Sequence, residues 1–342
     1  MMDTSTLLAL VQDGVVNGAI YALLALALVL VFAVTRTIFI PMGEIVSFAA
    51  LTYAGLENGA APPVLALTMA LGLAAFLRGA VTARGRALLF LALETLAMPA
   101  TIAVVVMVIA PLQLGIAVNA AIAVACVAPI APLVYRIAFA PMAEASVLVL
   151  LIAAVGTHLA LSGLGLLVFG PEGARGEAFS DAVLELGPII LPGQAICVLI
   201  ATLAAMLGLW AFFRFTLAGA ALRATAINRR GARLVGIATD RAGLHAFWLA
   251  GMIAAISGVL IAPLTTIYYD GGFLIGLKGF VAAIVGGLVS YPLAALAAIG
   301  VGVLESFAAF QASAFKEVIV FAGIIPVLLW RSLRHVSVED EE

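Results

Sequence analysis

At 342 residues the chain is 65% hydrophobic and only 10% charged, with a net charge of −2 and a mean hydropathy of +1.27. Soluble domains carry about 45–50% apolar and ~25% charged residues, so a soluble globular fold is excluded and an all-α polytopic membrane protein is expected. The near-neutral charge points to no nucleic acid, and the basic residues gather in loops beside apolar runs, where membrane lipid is the expected surrounding.

The opening stretch has neither a basic n-region nor an A-x-A site, so it reads as mature sequence and not as a signal peptide. The first apolar run, residues 15–34, predicts a spanning helix of the about 20 residues a crossing needs. Gly14, Gly18 and Ala22 recur at four-residue spacing and leave a small-residue face for close helix packing. Arg36 places the end of this span on the cytoplasmic side. Pro41 and Gly43 interrupt the next run before a second span that ends near Leu56. Glu44 stands at or just inside it, with Ser47 and Thr52 further along. Two readings fit Glu44: a helix-start acid favoured by the N-terminal dipole, or a carboxylate facing the bundle interior, water or a partner.

Residues 62–77 predict a third span, and Arg78, Arg84 and Arg86 mark a cytoplasmic loop. Further spans are expected over residues 87–110, 114–135 and 145–169, with 135–145 as a turn carrying Arg136 and Glu144. Glu94 lies in the first of these as interhelical glue. His158 lies in the last, at membrane depth, where an imidazole either bonds a neighbouring helix or touches a substrate. Residues 170–187 carry Glu172, Glu177, Asp181 and Glu185 against Arg175 and are expected outside. A span over 188–213 returns the chain to the cytoplasm.

Residues 213–241 are the long polar interruption of the chain. Arg214, Arg223, Arg229, Arg230, Arg233 and Arg241 stand against Asp240, which makes the segment cytoplasmic. Leu217, Ala221, Leu222, Ala224, Leu234, Val235 and Ile237 form an apolar stripe, and Asn228 and Gly231 break it into short helical pieces. Such a segment either fixes orientation alone or docks against a cytoplasmic partner.

A span over 245–267 contains Gly251, Ser257 and Gly258, and a short outer loop is expected over 268–272. Residues 278–289 are too few to cross and predict a half-helix broken at Gly286 and Gly287, the kind of irregular backbone tolerated only inside protein or along a cavity. The span over 292–310 carries Ala294, Ala298 and Gly302 as a second small-residue face, with Glu305 near its end. Residues 318–330 close the bundle, Arg331, Arg334 and His335 put the C-terminus in the cytoplasm, and 339–342 form a solvated acidic tail. The total is about ten or eleven spans, one of them a half-helix.

Motifs for chemistry are missing from the sequence. There is no G-x-x-x-x-G-K-[ST] phosphate loop, no cluster at zinc spacing and no G-x-S-x-G elbow. Cys126 and Cys197 sit singly in apolar runs. No catalytic residue, metal or cofactor is expected, and ionisable residues at depth are too few for a proton relay.

The arginine stretch resembles the cytoplasmic coupling region of the branched-chain amino-acid ABC importer permeases. The matching residues are Gly219, Arg223-Ala224, Asn228, Ala232, Leu234-Val235-Gly236-Ile237 and Asp240-Arg241. Lys278-Gly279-Phe280 with Ala283 to Gly287, Gly302 to Glu305, the Gly14–Gly18–Tyr21 pattern and Gly43-Glu44 are similar to further signatures of that family. The resemblance implies one permease domain over 1–342, with 213–241 binding cytoplasmic ATPase subunits through Arg223, Ala224, Asn228, Ala232, Leu234, Gly236 and Ile237. It also implies a second permease subunit, a periplasmic substrate-binding protein and a place in the bacterial inner membrane. Glu44, Ser47, His158 and Ser257 are the candidate pathway-lining residues. Phe39 and Met42 stand where the family carries Asn and His, which leaves the substrate open between amino acids and a sugar or nucleoside, and residues 60–112 look like added hydrophobic sequence. A stand-alone channel or secondary carrier is the alternative from another class.

Overall fold

The computed structural model describes residues 3–81, 83–112, 114–186, 189–288, 290–323, 325–327 and 329. Helix α1 (Thr4–Thr35) runs through the middle, apolar on every side and largely buried from Gly14 to Thr35. A helix without a polar face must be surrounded by other helices or by lipid; this one is surrounded by helices. Its most extensive partner is α12 (Tyr291–Ala312). A Cβ on Gly302 would lie 2.3 Å from the Gly14 carbonyl oxygen, and one on Gly18 would lie 2.6 Å from Ile299 Cα. Gly302 and Ala298 thus meet the Gly14–Gly18 face of α1, which lets the two backbones approach as close-packed membrane helices do. Ala294 packs against Gly286 instead.

Two helices start inside the bundle. α2 (Met42–Glu57) follows α1 after an irregular stretch, 36–41, and α11 (Gly272–Val285) follows α10 (Thr239–Ile261) after another, 262–271. The C-terminal end of α1 and the N-terminal end of α10 share a cluster of Leu30, Val34, Ala242 and Ala246, so these long helices are antiparallel. From a common point at Gly43 and Gly272, α2 runs towards Glu177, whose carbonyl accepts the Tyr53 hydroxyl at 3.0 Å. α11 runs the other way, to Gly286 beside Ala294. Each long helix therefore feeds a short one, and the two units lie in opposite senses, the arrangement of inverted repeats with broken helices.

The remaining elements pack around this centre. α3 (Val64–Ala80), α4 (Arg86–Leu112) and α5 (Ile116–Met142) lie on one side, α6 (Val147–Phe169) and α7 (Gly193–Phe215) on others. α8 (Leu217–Ile227) and α9 (Arg229–Leu234) occupy the arginine segment, and α13 (Lys316–Ala322) follows α12. A two-stranded antiparallel hairpin, β1 (Val183–Leu186) and β2 (Ile189–Pro192), lies in the acidic loop.

The all-α polytopic fold is as expected: among the described residues seven helices are long and apolar enough to cross a membrane, and α3, α8 and α11 are shorter apolar helices. Other expectations are corrected. Residues 135–142 do not form a turn: α5 continues through a wide π turn at Tyr135–Phe139 and places Arg136 on a helix. The expected loop over 268–272 is a turn with Tyr268 and Asp270 exposed and Tyr268 beside Gly173 of the acidic loop, while its last residue, Gly272, is buried as the start of α11 and touches Gly43. The half-helix begins at Gly272, ahead of Lys278, and α10 begins at Thr239, taking in Asp240 and Arg241. The expected terminal features at Arg331, Arg334, His335 and 339–342 lie outside the described residues.

Candidate functional site

The point where α2 and α11 begin gathers most of the candidate pathway residues. The Gly272 N–H, one of the donors a helix start leaves unbonded, donates to Ser47 Oγ at 2.7 Å. Glu44, in the first turn of α2, has no exposed surface, and its Oε1 lies 2.5 Å from His158 Nδ1 on α6. The His158 ring stacks on Phe273 at 4.3 Å between centroids, so α6 is tied to both short helices. Both helix starts present partial positive charge here. Glu44 Oε2 has no hydrogen-bond partner among the described residues. The hydroxyl of the fourth candidate, Ser257, donates back to Ile253 O at 2.8 Å on its own helix.

The arginine segment is built from capped short helices. The Thr216 hydroxyl oxygen accepts the Gly219 N–H at 2.9 Å, and Asn228 Oδ1 accepts the Gly231 N–H at 2.8 Å, so both helices start at side-chain caps. Gly236, at φ +84°, ends α9 in the left-handed region that glycine adopts without strain. Leu222, Thr225 and Ala232 turn inward and anchor the segment, whereas Leu217, Ile227, Leu234 and Val235 are each more than three-quarters exposed. Arg223 and Asn228 are exposed, Ala224 and Ile237 half-buried. The expected stripe is therefore split between an anchoring and an outward face. Arg233 donates to Glu144 at 2.8 Å and to Thr239 at 2.9 Å, and Arg229 bonds the Ala143 carbonyl and Asp240, both at 3.3 Å. The Arg233 guanidinium holds the Glu144 carboxyl below the usual carboxylate range, and Glu144 in turn raises Arg233.

One buried network joins residues whose partnership sequence reasoning missed. Lys278 Nζ donates to Glu305 Oε1 at 2.5 Å and to Glu317 Oε1 at 3.1 Å, and the Tyr21 hydroxyl donates to Glu305 Oε2 at 2.6 Å. It binds α1, α11, α12 and α13 together. A signal was present: a lysine and a glutamate in apolar helices are each costly alone, which implies a pair.

Antiparallel long helices, two half-helices meeting at depth and exposed capped helices at the arginine end define a polytopic membrane protein of transporter build. A profile of the family described as "Branched-chain amino acid transport system / permease component" matches residues 83–328, well over half of the chain. The chain belongs to that family. The high-affinity branched-chain amino acid transport system permease protein LivH of Escherichia coli (strain K12) is 32% identical over 202 residues, 57% of this chain and 65% of LivH. The corresponding protein BraD of Pseudomonas aeruginosa is 28% identical over 271 residues, 76% of this chain and 85% of BraD. The autoinducer 2 import system permease protein LsrC of Yersinia enterocolitica is 32% identical over 145 residues, 40% of this chain and 38% of LsrC. The chain thus spans less than two thirds of the LivH length it matches. No solved structure matches it significantly.

Proposed function

We propose that this chain is the permease subunit of an ATP-binding cassette importer of the bacterial inner membrane, carrying branched-chain or related aliphatic amino acids inward. The observation that carries this reading is the exposed apolar face of α8 and α9, Leu217, Ile227, Leu234 and Val235, in a member of a permease family. Short capped helices with an outward apolar face suit docking into a groove on a partner. Cytoplasmic ATPase subunits bind residues 213–241, with Arg223, Ala224, Asn228, Leu234, Gly236 and Ile237 in or beside the contact and Ala232 anchoring it. They supply all ATP hydrolysis; this chain, one membrane domain over 1–342, catalyses no reaction. Two permease subunits enclose the pathway, and a periplasmic binding protein delivers the substrate to the hairpin end. ATP-driven closure rocks the long–short helix units against each other about the Gly43–Gly272 contact, with Glu44, Ser47 and His158 at that depth.

Few polar groups reach the interior, and each buried hydroxyl left unpaired costs about 1–3 kcal/mol, so an aliphatic amino acid fits better than a sugar. The match to LsrC makes a differently named cargo worth testing alongside. Uptake by the complete reconstituted importer decides it. Saturable, ATP-dependent uptake of leucine, isoleucine or valine is expected. Uptake of ribose or a nucleoside, with none of the amino acids, overturns the substrate, and transport without the ATPase subunits overturns the class.

A further inference from the structure

α10 carries one unbroken ridge along its outer side: Arg241, His245, Trp248, Met252, Ile256 and Leu260. At 1.5 Å per residue the ridge is roughly 28 Å long. It borders a groove walled by α5 and α4. Between Trp248 and Leu260 the groove is a wholly apolar cavity of about 600 Å³. It stays open because α5 lines it with small side chains, Ala121, Ala125 and Ala128 among them. Its apolar length, about 18 Å, slightly exceeds the depth of one leaflet, about 15 Å.

The other end is polar. Beyond Trp248 the groove passes into adjoining cavities of about 310 and 410 Å³ that are lined by Arg136, His245 and Arg241 together with Glu94 and Asp240. Both acids are already engaged: Glu94 with Arg136, and Asp240 with Arg229 and Arg233. The Arg241 guanidinium, exposed on the first turns of α10, has no acidic partner among the described residues. Arg84 and Arg86 flank the same mouth, interleaved with the lining residues Ala83 and Ala87. Trp248 marks the change from polar to apolar, where an amphipathic ring belongs at a membrane–water boundary.

We infer that this groove is a binding site for one anionic phospholipid, its phosphate at Arg241 and the arginine-rich mouth and an acyl chain along α10 to Leu260. Basic pockets between membrane helices bind anionic headgroups, and a guanidinium bonds phosphate oxygens through paired N–H groups. The alanine wall gives the chain a channel that a flat helix surface does not offer. The assignment is independent of the cargo and of ATPase docking.

Trp248 lies at the junction and serves as the reporter. With Trp210 and Trp330 replaced by Phe it is the remaining tryptophan of the three in the chain. The full-length protein is reconstituted in phosphatidylcholine vesicles doped at equal mole fraction with brominated phosphatidylglycerol or brominated phosphatidylcholine. Quenching of Trp248 is expected to show the anionic lipid preferred by about tenfold. Arg241→Gln should bring the two lipids to parity, and Ala125→Phe should weaken quenching by both while leaving the protein folded by circular dichroism. Free inorganic phosphate should not relieve the quenching. Equal quenching by both lipids in the parent protein, an undiminished preference in Arg241→Gln, or relief by free phosphate overturns the proposal. So does a disulfide between two copies formed by Ala125→Cys in a background without Cys126 and Cys197, because the groove is then covered by a second subunit.

Discussion

Glu44 Oε1 and His158 Nδ1 lie 2.5 Å apart, though the two residues are 114 positions apart in sequence. The carboxylate is fully buried, the imidazole nearly so, and no other described group bonds Glu44 through its side chain. Leaving a buried hydrogen-bonding group without its partner costs about 1–3 kcal/mol. His158 retains some exposure, so His158→Leu should fall at the lower end of that range. His158→Gln, which keeps a donor, should recover part of it. The double variant Glu44→Gln/His158→Leu should be less impaired than the sum of the two single changes. Thermal unfolding in detergent measures all four, and strict additivity would mean that the contact contributes nothing.

Gly302 and Gly300 provide a matched comparison on one helix. A Cβ at Gly302 meets the Gly14 carbonyl at 2.3 Å and the Gly18 nitrogen at 2.4 Å, whereas one at Gly300 meets nothing within 4 Å. Backbone cannot retreat as a flexible side chain can, so Gly302→Ala should separate α1 from α12 and lower stability by about 1–3 kcal/mol. Gly300→Ala should be neutral or stabilising by up to about 1 kcal/mol, since Ala is the better helix former. A Gly302→Ala protein as stable as Gly300→Ala would show that the α1–α12 approach is looser than described.

What was readable from the sequence follows from range. Apolar runs give helices directly, because a membrane helix satisfies its backbone internally whatever its neighbours do. Caps are equally local: Asn228 ends one helix and starts the next through a bond three residues away. Small-residue faces at Gly14–Gly18 and Ala298–Gly302 were visible as faces, although only packing shows that they meet. Partnerships across the bundle were not legible. Glu44 is visibly costly at depth, but nothing near it in the chain names His158, and Lys278 likewise does not name Glu305. Local signals also misled. Residues 135–145, with Arg136 and Glu144, read as a turn where α5 continues to Met142.

Lys278 is shared by Glu305 and Glu317, and the sharing is unequal. Glu305 is nearly buried and also takes the Tyr21 hydroxyl, whereas the Glu317 side chain is 31% exposed. Lys278→Met should leave a buried carboxylate unpaired and lose about 3–5 kcal/mol. Glu317→Gln should lose under about 1 kcal/mol, as partly exposed pairs do. Lys278→Met/Glu305→Met should regain most of the loss. Unfolding midpoints order these variants, and a Glu317→Gln effect as large as that of Lys278→Met contradicts the assignment.

Glu144 and Arg233 hold α9 to the end of α5 outside the spanning helices. Because Arg233 depresses the Glu144 carboxyl from its ordinary value of 4.5, the contact is complete above that pH and weakens as pH falls below it, through the lowered value. Amide exchange in α9 should therefore rise, relative to α8, only on acidification below the ordinary carboxylate range. Added salt should have a similar effect at neutral pH, because the pair is exposed and screened. Glu144→Gln should remove the acid dependence. If acidification still loosens α9 in that variant, another carboxyl is responsible.

Leu234 tests the coupling assignment, since it is 88% exposed while Leu222 on the preceding helix is 1% exposed. An aspartate at Leu222 would bury a charge and disrupt the anchoring cluster with Leu30, Val34 and Ala246, so a lost activity there would report misfolding. At Leu234 the side chain touches little within this chain, and an aspartate can stay solvated in the free subunit. If the outward face of α8 and α9 sits in an ATPase groove, Leu234→Asp places a charge in an apolar contact, where central residues are worth about 2 kcal/mol or more. ATP hydrolysis stimulated by loaded binding protein should then fall at least about tenfold, with insertion and thermal stability unchanged. Leu234→Met should retain activity, because volume and polarity are nearly preserved. The measurement is stimulated hydrolysis by the reconstituted complex, alongside ATPase co-purification with each variant. Full stimulation in Leu234→Asp would remove α9 from the docking surface and leave residues 213–241 as a loop that sets orientation.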